Sequence, residues 1–145
     1  MVFNTKDPRW IQMREERLTA KWRKGETACN YCGREMWFSD FETIPSFIAR
    51  ATAGDICALI EPDHKKQVAT LDHILPLSRG GTHDHINLTT MCAECNFDKG
   101  AKHPLHWIDR KFDAGEITHG RAHVFRKKLK KAIKYAEKRG RIIRL

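Results

Sequence analysis

Two stretches decide the fold: Leu71-Asp72-His73-Ile74-Leu75-Pro76-Leu77-Ser78-Arg79-Gly80-Gly81, and, after Asn87-Leu88, Cys92-Ala93-Glu94-Cys95-Asn96-Phe97-Asp98-Lys99-Gly100. Residues 67–74 alternate and are rich in β-branched side chains, which predicts a strand. Residues 78–82 hold two adjacent glycines and must turn. Residues 87–91 predict a second short strand. From Ala93 the pattern becomes helical, with Gly100 as the stop. Strand, turn, strand and helix in about thirty residues make the fold class α+β.

Working outward, Cys92-x-x-Cys95 has a counterpart at Cys29-Asn30-Tyr31-Cys32, with Gly33 relaxing the backbone just after it. Each pair offers two thiolates from one tight turn, and four thiolates suit a tetrahedral structural zinc. Fifty-nine residues separate Cys32 from Cys92, too many for a simple zinc finger. The spacing fits a metal that staples an N-terminal knuckle to the edge of the strand–helix unit. No βαβ pattern surrounds either pair, which argues against a redox role. The odd cysteine, Cys57, reads as a small buried apolar residue.

Asp7-Pro8 opens a helix with an N-cap and a proline at its first position. Trp10, Ile11, Leu18 and Trp22 line one face of it, and Gly25 ends it. The tryptophans therefore read as core. Residues 34–66 form an insertion between the knuckles, with a short helix over 44–51. Pro104 starts a further helix, and Gly115 and Gly120 punctuate the chain beyond it. The last helix, roughly 121–138, carries Phe125, Leu129, Ala132, Ile133 and Ala136 as one apolar stripe among lysines and arginines.

The net charge of +9 is unevenly placed. Residues 119–145 hold eleven Lys/Arg against Glu137 alone, while residues 29–118 are mildly acidic. A basic arm beside an acidic centre suits a polyanionic partner better than a face kept basic for solubility. Lys127, Lys130, Lys131 and Lys134 are the candidate contacts. The N-terminus lacks an apolar run of the secretory type, and no stretch is long enough to span a membrane, so a cytoplasmic setting without membrane contact is expected. Paired cysteines in a reducing cytoplasm point to metal more than to disulfides.

The order Asp72-His73, Gly80-Gly81, Asn87-Leu88, Cys92-x-x-Cys95-Asn96-x-x-Lys99-Gly100 resembles the HNH endonuclease family, in its H-N-N variant and as a free-standing phage-type member. The resemblance implies a ββα-metal core, here with a pair of zinc knuckles and flanking N- and C-terminal helices. It implies one nuclease domain over 1–145: an N-terminal helix in 1–28, a zinc-stapled core in 29–100 with its insertion, and a basic helical extension in 101–145. His73 would be the general base, and Asp72 and Asn96 would offer hard oxygen ligands to one Mg²⁺ or Mn²⁺. Asp72 and His73 are neighbours on a strand and point apart unless a strand end or bulge turns both to the cleft. Asn87 would bond the backbone near His73. Arg79 and Lys99 are candidate phosphate contacts. His83 and His85 lie in the intervening loop, from which either could approach the cleft, though they read more readily as solvated loop residues. The implied substrate is double-stranded DNA, cut to leave 5′-phosphate and 3′-hydroxyl ends. The rival reading is a zinc module that binds nucleic acid without cutting it; neither reading fixes the oligomeric state.

Overall fold

The computed structural model describes residues 7–54 and 62–145, so Cys57 lies outside the described residues. In chain order the elements are α1 (Pro8–Arg23), α2 (Ile44–Gly54), β1 (Ala69–His73), β2 (Leu88–Cys92), α3 (Ala93–Lys99), α4 (Pro104–Asp113) and α5 (His119–Lys138). Two short 3₁₀ turns, Leu77–Arg79 and His85–Asn87, lie in the β1–β2 connection. The strands form a two-stranded antiparallel sheet. Ile74 donates to the Asn87 carbonyl at one end, and Ala93 to the Val68 carbonyl at the other. With α3 following β2 directly, this is a ββα unit in an α+β fold, as expected.

The chain forms two compact units, one of Asp72–Thr89 and Phe97–Leu145, the other of the described residues in Asn4–Leu71 together with Thr90–Asn96. In the latter, the Asp7 side chain caps α1 by accepting from the Arg9 amide, and Trp10 and Leu18 are buried. Gly25, at φ 71°, ends the helix in the left-handed region that glycine tolerates. β1 begins at Ala69, two residues later than its sequence pattern, because Gln67 and Val68 serve another partner. Trp37 donates to the Gln67 carbonyl and accepts from Ala69, making an isolated parallel bridge.

The insertion has a structural role in this unit. Arg50, on α2, reaches Glu35 at 2.6 Å, Glu42 at 2.8 Å and the Met36 carbonyl at 2.5 Å, with its guanidinium 5.6 Å from the Trp22 ring centre. Removing a half-buried cation from the water around it is offset by these two carboxylates, which raise its pKa against the lowering effect of burial.

In the other unit α5 packs on α4 and on the His85–Asn87 turn. Phe125, Leu129, Ala132 and Ala136 are buried along the α5 stripe, and Trp107 meets Phe125 edge-on at 6.1 Å. Ile133, assigned to the stripe by spacing, is only half-buried. Gly120 does not interrupt the chain: it sits in the first turn of α5, which Thr118 caps by accepting from the Arg121 amide. The segment beyond α5 lies across the Gly80 turn, where Arg144 donates to the Arg79 carbonyl and Arg141 to the Gly81 carbonyl.

Candidate functional site

Cys29 follows an antiparallel bridge between Ala28 and Glu35, and Gly33, at φ 80°, turns the knuckle back. Cys92 ends β2 and Cys95 lies in the first turn of α3. All four sulfurs lie within 4.8 Å of one another, with Cys32 and Cys92 at 3.8 Å. Tetrahedral zinc with Zn–S of about 2.3 Å sets sulfurs about 3.8 Å apart. The Tyr31 and Cys92 amides donate to Cys29 Sγ and the Cys95 amide to Cys92 Sγ, so N–H groups already face the sulfurs as thiolates require. Hydrogen bonding with Cys29 pulls Cys32 down, whereas hydrogen bonding with Cys29 and Cys32 pushes Cys92 and Cys95 up. By themselves the four sulfurs cannot all be thiolates; a dication removes that conflict. The cluster could hold zinc.

Asn96 follows Cys95 and belongs to the same unit. Its Nδ2 donates to Thr70 Oγ1 at 3.0 Å, and that hydroxyl donates onward to the Met91 carbonyl at 2.7 Å. This hydrogen-bond chain fixes which way the amide faces, and its other polar atom is a carbonyl oxygen, a type that suits a hard cation.

Asp72, His73, Asn87 and Lys99 share the other unit. Asp72 is 7 % exposed and His73, the last residue of β1, is half-buried. Lys99 is wholly buried: its Nζ lies 3.0 Å from Asp72 Oδ2 and donates to the His73 carbonyl at 2.8 Å. Burial raises the Asp72 pKa and Lys99 opposes it; burial likewise lowers Lys99. Burial, then the neighbouring His83 and then Lys99 hold the His73 imidazole down to about 3, so the ring is neutral at physiological pH.

Asn87 is 1 % exposed and acts as a clip. Its Oδ1 accepts from the Leu75 amide at 2.8 Å, and its Nδ2 donates to the carbonyls of Leu75 at 2.9 Å and Thr82 at 2.8 Å. The clip thus closes two residues beyond His73. Gly81 is required beside it, since a Cβ there would fall on the Leu75 carbonyl oxygen.

Two expected phosphate contacts have partners within the chain. Lys99 is enclosed with Asp72 instead of facing solvent. Arg79 directs Nε to the Ala101 carbonyl at 2.8 Å and Nη1 to the Arg144 carbonyl at 3.1 Å, holding its turn to the chain end. Lys127, Lys130, Lys131 and Lys134 are carried on α5 around the buried stripe. His83, read as a solvated loop residue, brings Nδ1 to 3.1 Å from His73 Nε2. Its place in the intervening loop left an approach to the cleft open, and Asn87, which sets that loop, decides it.

Residues 57–112 match the family model described as HNH endonuclease. The matched segment includes Asp72, His73, Asn87, Asn96, Cys92 and Cys95, and leaves the first knuckle outside it. No curated protein and no solved structure matches the chain.

Proposed function

We infer, from the HNH endonuclease domain at residues 57–112, that this chain is a metal-dependent DNA endonuclease that hydrolyses phosphodiester bonds in double-stranded DNA and leaves 5′-phosphate and 3′-hydroxyl ends. The observation that carries the reading is His73: a neutral imidazole at the end of β1, with its backbone carbonyl bound by a buried lysine. A neutral imidazole can accept a proton from water, and an imidazolium cannot.

The roles rest on the surroundings of each side chain. His73 takes the proton from the attacking water. A substrate phosphate brought beside the ring raises its pKa from about 3 toward the working pH, since a nearby anion favours the charged form. Asn87 holds the turn after β1 rigid, so the ring stays in place through the reaction. The Asp72 carboxylate and the Asn96 amide oxygen are the hard donors that suit Mg²⁺ or Mn²⁺. When bound, such an ion neutralises phosphate charge and assists departure of the 3′ oxygen. Lys99 offsets the negative charge of Asp72, whose Oδ2 otherwise lacks a hydrogen bond among the described residues. Cys29, Cys32, Cys92 and Cys95 hold one structural zinc, and Lys127, Lys130, Lys131 and Lys134 lie along the duplex backbone. The cytoplasm of a host cell, with the gene carried by a phage or mobile element, is the setting this reading implies.

A supercoiled-plasmid assay tests it. Nicked or linear product with Mg²⁺, and none with EDTA, is the expected result. Retardation of the plasmid without cleavage under either condition would turn the reading to a zinc module that only binds nucleic acid.

A further inference from the structure

We propose that His83 is a positioning residue for hydrolysis: its Nδ1 accepts a hydrogen bond from the Nε2–H of His73, fixing the ring so that Nδ1 of His73 receives the proton from water. The inference rests on His73 being the base, and goes beyond it by naming the group that orients that base and the nitrogen that reacts.

The two nitrogens are 3.1 Å apart, and the rings meet edge to face, with centres 5.0 Å apart at 69°. Only one of these nitrogens can carry the shared hydrogen. Were it His83 Nδ1, neutral His73 would hold its own proton on Nδ1 and direct its remaining lone pair at His83. Neither nitrogen would then serve as a base. The reverse arrangement keeps Nδ1 of His73 basic. In the step itself, a water O–H bond breaks, the proton passes to His73 Nδ1, and the water oxygen bonds phosphorus. The bond from phosphorus to the 3′ oxygen breaks, and that oxygen leaves with the electron pair and takes a proton from solvent.

The loop that carries His83 is pinned on both sides. Asn87 Nδ2 donates to the Thr82 carbonyl at 2.8 Å, the Asp84 amide to Thr82 Oγ1 at 3.3 Å, and the Asn87 amide to the Asp84 carbonyl at 2.8 Å. His73 is held at its carbonyl by Lys99 and at its ring by His83. Because His83 is exposed, its replacement opens no core.

The test uses the full chain loaded with zinc, supercoiled plasmid and Mg²⁺. His83→Ala should lower kcat about 10- to 100-fold, the cost of a loosely held reacting group, with KM changed less than about 2-fold. His83→Asn, whose amide oxygen falls close to the place of Nδ1, should recover most of kcat. Nitrogen-15 spectra of histidine-labelled wild-type protein should show His73 protonated on Nε2, and His83→Ala should give a mixture of tautomers. Wild-type cleavage by His83→Ala, with His73→Ala inactive, would overturn the positioning role and leave the base in place. Finding wild-type His73 protonated on Nδ1 would overturn it without recourse to any variant. Cleavage by His73→Ala near the wild-type rate would remove the base reading itself.

Discussion

Lys99 Nζ lies 3.0 Å from the Asp72 carboxylate, with the lysine wholly buried and the aspartate nearly so. One ammonium thereby joins the end of α3 to two successive residues of β1, since it also binds the His73 carbonyl. Leaving one member of such a pair inside the protein without the other costs about 3–5 kcal/mol. Lys99→Met should therefore lower the stability of the zinc-loaded protein by about that amount, read from its urea midpoint. A midpoint equal to that of the wild type would mean that the ion pair contributes nothing to the fold.

His73→Ala should lose cleavage while its circular dichroism and DNA affinity stay close to those of the wild type, because the ring is only half-buried at the end of β1. Asn96→Ala should also lose activity. If its oxygen is a metal ligand, high Mn²⁺ should restore part of the rate; loss that no divalent ion relieves would assign Asn96 to holding Thr70 alone.

The depressed His73 pKa has a kinetic sign. In the free protein the ring stays neutral as pH falls from 8 to 5, since its proton is taken up only near 3. The value of kcat/KM reports the free protein, so His73 should add no acid limb near 6.5, the ordinary histidine value. A profile at saturating Mg²⁺ and constant ionic strength checks this. An inflection at 6.5 would show that the imidazole is solvated as in a free peptide.

Metal analysis after dialysis should find about one zinc per chain, as four cysteine ligands predict. Cys92→Ser, or strong chelation, should unfold the ββα segment, because the binding free energy of a structural zinc, on the order of 10 kcal/mol, is folding free energy. A protein that stays folded without zinc removes the four-cysteine site.

The α5 lysines make the last test. Reversing Lys127, Lys130, Lys131 and Lys134 to Glu leaves the buried stripe of Phe125 and Leu129 intact. If all four meet phosphates, the slope of log K against log salt should become shallower by roughly 3–4 units, at about 0.9 per contact. Deleting residues 121–145 is a poorer experiment, since it also removes the partners of Arg79 and Gly81. Unchanged affinity and slope in the reversal variant would move DNA binding elsewhere on the chain.

Sequence alone determined the local order: two short strands, a turn at Gly80-Gly81, a helix after Cys92, a cap at Asp7, and two knuckles able to share a metal. These features are encoded by period, capping chemistry and ligand spacing, all of which act within a few residues. Tertiary structure alone decided which polar side chains face inward. Lys99 and Arg79 have the sequence character of surface cations, yet one is enclosed with Asp72 and the other bound to carbonyls near the chain end. His83 carries no recognisable spacing, and meets His73 only because Asn87 closes the loop between them. Charge burial and ring-to-ring contact depend on partners distant in sequence, and the balance of desolvation against pairing is settled only when those partners are in place.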